Sequence, residues 1–276
     1  MSRYSSRRSR HKSSDAIKLW LTLLLAALTL GAAGFGAYLF FSAAPAIQRD
    51  ALTQCPVQGP SQINVILIDT SDDVPQATRM EALSRLLDFA ETVPDDGLLD
   101  IRLLDPASPA GRVIFHRCNP GDGKGLSGVT HNPALVQKRW RENFRAPLDK
   151  ALESSFSTED AATSPILSTL QGIALQQFTG ASAERLPKRL LIVSDFLENT
   201  KQYSQYQGDL SYQKFMRMPF YKDTHTNLHR ADVIFMYIQR TTRHVDSGKH
   251  IQFWLDWAVD NNGRPINPVK LQGLGK

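Results

Sequence analysis

Beyond its first 18 residues this chain carries no net charge. Arg3, Arg7, Arg8, Arg10, Lys12 and Lys18 against Asp15 account for the whole formal charge of +5. The basic character therefore belongs to a tail, and no positive face is left to argue for nucleic acid. Several catalytic signatures are missing as well. Gly121, Gly123, Gly125 and Gly128 precede no GK[ST] element and follow an edge-strand pattern, so they read as a surface loop and not a phosphate cradle. No Gly-x-Ser-x-Gly elbow occurs. His225 and His229 have the i, i+4 spacing of a helical zinc pair, but no Glu stands between them, and His116, His131, His244 and His250 are scattered. Only two cysteines are present, Cys55 and Cys118, and neither has a nucleophile-like context. No internal repeat is visible.

One long hydrophobic run stands out. From Leu19 to Ala46 no charge appears, and the next is Arg49. A helix needs about 20 apolar residues to cross a hydrocarbon core, so this stretch is long enough. Trp20 and Tyr38 lie near opposite ends, where amphipathic rings prefer the interface. Lys and Arg gather before the run and are almost absent after it, which predicts a cytoplasmic N-terminus and an extracytoplasmic remainder. Ala44-Pro45-Ala46 resembles a signal-peptide cleavage site, but the run exceeds the ~7–15 residues of a signal core. Arg7-Arg8 lacks the apolar pair of a twin-arginine signal. The expectation is a single-pass anchor: a basic tail over 1–18, a transmembrane helix over 19–46 and a linker over 47–62. The main domain then faces the periplasm if the cell is Gram-negative. In such a compartment Cys55 and Cys118 are permitted to form a disulfide; two buried free thiols are the other reading, and the sequence leaves both open.

The remainder alternates between two periods. Ile63–Ile68 is a continuous run of aliphatic residues, as expected of a strand covered on both faces. Met80, Leu83, Leu86, Leu87 and Ala90 follow helical spacing over 76–93. Strands are predicted over 98–104 and 112–117, too close for a helical crossover and so paired as a hairpin. Helices follow over 133–156, with Trp140, Phe144, Leu148 and Leu152 on one face, and over 165–178, with Pro165 in its first turn and Ser164 as N-cap. Strands over 190–193 and 233–238 and a last helix from Gly248 to Asn261 complete the domain, 63–262; residues 263–276 read as a coil tail. The pattern predicts an α/β fold: a mostly parallel, doubly wound sheet with one antiparallel hairpin strand, flanked by helices and preceded by a single transmembrane helix.

The strand ends carry the chemistry. Asp69-Thr70-Ser71-Asp72-Asp73 closes the first strand, Thr163-Ser164-Pro165 opens a helix, and Val193-Ser194-Asp195 closes a later strand. Strand C-termini converge at the crevice of an open α/β sheet, so these segments can meet. Mg²⁺ takes octahedral oxygen ligands with one or two carboxylates, a set these residues can supply. The bland alternative is that Asp69 and Asp195 simply end strands in turns, as Asp commonly does. The connection from Glu198 to Arg230 is long for a link between neighbouring strands and holds Tyr203, Tyr206, Tyr212, Phe215, Phe220 and Tyr221 among basic residues. Such loops are often functional. These aromatics suit a partner surface, with a helix packed on the domain as the structural alternative.

Taken together, Asp69 and Ser71 of the first strand end, Thr163 or Ser164, and Asp195 resemble the von Willebrand factor A (integrin I-like) domain over roughly residues 60–260. That family carries an Asp-x-Ser-x-Ser motif, a later Thr and a still later Asp; here the last motif position is Asp73 instead of Ser. The resemblance implies a metal site of Asp69, Ser71, Asp73, Thr163, Ser164 and Asp195, holding Mg²⁺, with Mn²⁺ or Ca²⁺ as alternatives. It also implies a non-enzymatic interaction module, part of a larger envelope complex, whose protein partner offers a carboxylate to the metal. Two other classes stay open: a metal-dependent hydrolase of phosphoryl or nucleotide substrates, and a structural subunit with a vestigial cation site.

Overall fold

The computed structural model describes residues 11–42, 47–128, 132–156, 162–207, 210–239 and 245–272. Arg3, Arg7, Arg8, Arg10, Ala44-Pro45-Ala46, His131 and His244 lie outside the described residues. The chain forms two compact units, one built on the N-terminal helix and one on a sheet. In the first, α1 spans His11–Ser42. Its stretch Ala16–Tyr38 is 23 residues long, and no part of it is buried. At 1.5 Å per residue it spans about 35 Å, enough to cross a hydrocarbon core. Trp20, Leu24, Phe35 and Phe40 are exposed around its circumference, so no packed core accounts for its apolarity.

The second unit holds a six-stranded sheet in the order β3-β2-β1-β4-β5-β6. The strands are β1 (Ile63–Ile68), β2 (Leu98–Leu103), β3 (Arg112–Cys118), β4 (Lys188–Ser194), β5 (Asp232–Ile238) and β6 (Arg264–Leu271). All neighbours pair in parallel except β2 and β3, which form the expected hairpin. Every residue of β1 is buried, which is why its sequence shows no alternation.

Helices cover both faces. Residues Ile66, Ile68, Leu99, Ile101 and Val193 face α2 (Gln76–Glu91) and α4 (Ala146–Ser155). Val65, Leu67, Leu190, Ile192 and Val233 face α5 (Ile166–Ile173), α6 (Tyr212–Phe215), α7 (Pro219–Thr224) and α8 (Ser247–Asp260). The run from α3 (Pro133–Trp140) to α4 is bridged by one π-turn, Arg141–Arg145, and α5 ends in another, Ala174–Phe178. Gly172 on α5 is required by packing: a Cβ there would lie 2.1 Å from the carbonyl oxygen of Pro109.

Two expectations need correction. Residues 264–271 are not coil but the edge strand β6. Its register slips between Ile234 and Met236, opposite Asn267 and Pro268, so proline sits at a bulge on an edge where its missing N–H is tolerated. Only Leu271 is fully covered, so the apolar signal is faint. On α2, Met80 is exposed, while Ala82 and Phe89 join Leu86 and Ala90 in the core, a rotated version of the expected face. In the 198–230 connection most aromatics pack on the domain, the structural alternative, while Tyr206 stays exposed. Tyr203, Tyr212, Phe215 and Phe220 are buried and stack with Phe253 of α8 or with one another, because the α8 face of the sheet would otherwise lie open.

Residues 47–62 have no long regular element, yet they are tied down. Asp50 Oδ1 accepts from the backbone of Leu52 and Thr53, bonds that hold its carboxyl below the usual range, and Cys118 N donates to Thr53 O. Cys55 and Cys118 are disulfide-bonded, with Cα atoms 4.7 Å apart, which joins this segment to the edge strand β3. The bond spans a sequence separation of 63 residues. In the chain-entropy account a loop of that size stabilises by about 4 kcal/mol. Cys118→Ser should lower the urea midpoint accordingly in oxidising buffer, and reductant should then have no further effect on the variant. Equal midpoints for the variant and the oxidised protein would contradict this.

Candidate functional site at the beta1 and beta4 strand ends

The chain leaves β1 toward β2 on one side of the sheet and reaches β5 and β6 from β4 on the other. Neighbouring β1 and β4 therefore feed loops that part in opposite directions, and the crevice between them is where open α/β sheets place their ligands. Ile68 lies opposite Val193, and Asp69 N donates to Val193 O at 2.8 Å, so the two strand ends are level.

Asp69, 5% exposed, is the centre of this crevice. Its Oδ1 accepts from the Ser71 backbone N–H at 3.0 Å and from the Ser71 hydroxyl at 2.7 Å. Its Oδ2 accepts from the hydroxyl of Ser164 at 3.2 Å and from that of Ser194 at 2.7 Å. One carboxylate thus gathers hydroxyls from three separated segments. Burying that charge is tolerable because each oxygen receives two donors.

Of the six residues expected at the site, Asp69, Ser71 and Ser164 come together. Thr163 is half-buried, and it is Ser164 that reaches Asp69. Ser164 does not act as a helix cap: α5 starts after Pro165 without a side-chain cap. Asp73 is turned away, its side chain 82% exposed and 3.8 Å from Arg79. Asp195 is buried beside the crevice, and its Oδ1 accepts from Leu197 N at 3.1 Å, a turn of the kind Asp commonly makes. Its charge also adds to burial in raising the Tyr237 hydroxyl to about 12. Asp72 Oδ2 accepts from the Tyr206 hydroxyl at 3.2 Å, lacing the two loops together. Among the described residues no group of three or more His, Cys, Asp and Glu is placed to hold a metal. The gathered donors are mainly hydroxyls.

Two participants escaped the sequence reading. Ser194 closes the aliphatic run Leu190-Leu191-Ile192-Val193 of β4 and is wholly buried, and its Oγ both donates to Asp69 and accepts from Phe196 N. A lone hydroxyl closing an apolar run is the signal that marks it. Glu198 is also wholly buried, with Oε2 accepting from Leu167 N at 2.8 Å in the first turn of α5. No sequence pattern announces it, since its position depends on the turn at Phe196, whose φ of 62° lies in the left-handed region. Burial, against the lowering effect of the Leu167 and Ile166 backbone N–H groups and with a still smaller push from Asp69, raises the Glu198 carboxyl to about 8.

Beyond Glu198 the network runs to α8. Phe196 O accepts from the Trp254 indole at 3.0 Å. It also lies 3.0 Å from His250 Nε2, which is 3.2 Å from Gln205 Oε1. His250 Nδ1 faces the Tyr237 hydroxyl at 3.0 Å. Two acceptors, Phe196 O and Gln205 Oε1, outweigh the one longer donor at Nε2, the Trp254 indole at 3.3 Å, and so assign the proton there, leaving Nδ1 to accept from Tyr237. Burial lowers His250 to about 4, in keeping with a neutral ring. Beside these loops opens a cavity of about 920 Å³ lined by Leu197, Gln205, Tyr212, Asp246, Lys249 and Phe253.

Other polar clusters lie elsewhere. His225 follows α7 and His229 has a φ of 49°, so their i, i+4 spacing is not helical. His225, Tyr212 and Tyr221 converge on Asp260 Oδ2 and pin the long connection to α8. Asp100, held below the usual carboxylate range by His116 and Arg102 against the opposing effect of burial, is a satisfied ion-pair group under β2. No family model matches this chain, and no curated protein matches its sequence.

The Glu198 and His250 shifts predict a pH profile. Glu198 rises from 4.5 to about 8, so the folded chain holds a proton that the unfolded chain releases. Stability then falls as pH rises across that window, by up to about 1.4 kcal/mol per pH unit. His250 falls from 6.5 to about 4, and its contribution is lost as pH drops across that window. The two slopes offset where they overlap and leave Glu198 acting alone above pH 6.5. In chelator-treated buffer, urea midpoints should decline from pH 6.5 to 8 for the parent protein, and Glu198→Gln should flatten that decline. Parallel curves would mean that Glu198 does not carry the proton.

Proposed function

We propose that this chain is a membrane-anchored interaction module of the von Willebrand factor A type, with a divalent-cation site at the β1 and β4 strand ends. The observation that carries the reading is the Asp69 carboxylate, ringed by the hydroxyls of Ser71, Ser164 and Ser194 at the point where the sheet changes direction. The donor set fits the ion: carboxylate and hydroxyl oxygens are the ligands Mg²⁺ prefers, and few carboxylates suffice because the ion keeps waters. Asp69, Ser71 and Ser164 would hold it, with Ser194 and Asp195 positioning them. Bound there, the cation supplies an open coordination position for a carboxylate from a protein partner.

The apolar stretch Ala16–Tyr38 anchors the chain, and the basic residues before it keep the N-terminus in the cytoplasm. The sheet unit then lies outside the cytoplasm, in the periplasm of a Gram-negative cell, a compartment in keeping with the Cys55–Cys118 bond. Partners of the module would be other envelope proteins.

One observation favours a second reading. Both oxygens of Asp69 are already saturated by the protein's own donors, so the cluster also serves as a cation-free fastening between loops. A structural subunit with a vestigial site would look the same.

Thermal unfolding of the full-length protein in detergent separates the two. Under the cation reading, Mg²⁺ at about a hundredfold over its dissociation constant stabilises by about 2.7 kcal/mol, and Asp69→Ala abolishes that gain. A midpoint indifferent to Mg²⁺ and to EDTA supports the structural reading. An Mg²⁺ response unchanged in Asp69→Ala removes Asp69 from the site.

A further inference from the structure

We propose that Glu198 is the second carboxylate of the cation site, a ligand outside the strand-end motif; this rests on the cation reading above. The loop that carries Glu198 is fixed on both sides. Glu198 N donates to Phe196 O and to Gln205 Oε1, each at 3.1 Å, and Gln205 N donates back to Glu198 O at 2.9 Å. The next residue, Asn199, pairs with Ser164 through reciprocal backbone bonds of 2.9 and 3.0 Å. Glu198 is therefore neighbour to the segment that delivers the Ser164 hydroxyl to Asp69.

Its side chain turns inward. Oε2 is held by Leu167 N, which fixes the carboxyl at the start of α5. Oε1 is shielded from solvent and has no hydrogen bond of ordinary geometry, with the Ile166 backbone N–H the other donor near this carboxyl. Asp69 is close enough for its charge to act on Glu198. None of the described ion pairs includes Asp69 or Glu198. Among the described residues the crevice thus brings together the buried acids Asp69 and Glu198, one bare oxygen and the hydroxyls of Ser71, Ser164 and Ser194, with Asp195 buried beside them. A small oxygen-seeking dication gives the bare oxygen a partner and draws on the same oxygen donors that ring Asp69.

A water molecule is the competing occupant. Gln205 Nε2 is likewise buried without a partner. A water bridging it to Glu198 Oε1 would satisfy both atoms. In that case the Glu198 variants below bind the ions as the parent does, and the assignment falls.

Calorimetric titration with Mg²⁺ and with Mn²⁺ on the full-length protein in detergent, after stripping with chelator, tests the assignment. Glu198→Gln keeps the acceptor for Leu167 N and removes the charge. It should weaken binding of both ions by at least about tenfold, the scale seen when a residue supporting a metal site is lost. Its cation-free melting temperature should equal or exceed that of the parent, an outcome a purely structural role would not give. Glu198→Asp keeps the charge but shortens its reach, so it should also weaken binding, and it serves if the Gln variant does not fold. If Asp69→Asn loses the ions while both Glu198 variants bind as the parent does, Glu198 is no ligand and the cation reading survives. If the parent itself binds neither ion, both fall.

Discussion

A single buried carboxylate joins the parts of this fold that are far apart in sequence. Asp69 receives Ser164 from 95 residues away and Ser194 from 125 residues away, on the same oxygen. An ionised group with four donors is inexpensive to bury, whereas the same group with two would be costly. The geometry of the loops is therefore constrained by the requirement that all the donors arrive. Ser194 passes the constraint on, because the hydroxyl that donates to Asp69 also accepts from Phe196 N. That bond shapes the left-handed turn at Phe196, and the turn aims its carbonyl at Trp254 and His250 of α8.

The same turn explains how a long connection is accommodated without loosening the domain. Chain leaving β4 must cover the sheet face that α8 alone does not fill. Tyr203, Phe215 and Phe220 do this as a stacked aromatic layer against Phe253, and Tyr212 and Tyr221 add hydroxyl bonds to Asp260. Aromatic residues in a long loop resemble interface anchors in composition. Here most of the rings face inward, while Tyr206 and Met216 stay exposed among polar and charged residues such as Lys201, Lys214, Arg217 and Asp223.

How far the sequence could be read depended on how local each signal was. β1 was legible from six consecutive aliphatic residues, and the hairpin from the short separation between β2 and β3. β6 was not, because an edge strand packs on one side only and two prolines dilute its pattern. At the candidate site, Asp69, Ser71 and Ser164 were legible from their places at element ends. The direction of Asp73 was not legible, because a residue in a turn can point either way, and its surroundings gave it Arg79 and solvent. Glu198 was invisible, since nothing in Phe196-Leu197-Glu198 distinguishes a buried acid from an exposed one.

What the sequence by itself determined is what depends on period and composition: an apolar helix long enough to span a bilayer, a parallel sheet layered by helices, and oxygen-bearing residues at strand ends. Tertiary structure alone decided which of those oxygens meet, that Cys55 reaches Cys118, and that the long aromatic connection turns inward. The division has one physical cause. Periodicity is set by neighbours along the chain, whereas burial and the pairing of charges are set by neighbours in space, which only the packed sheet and its crossovers bring together.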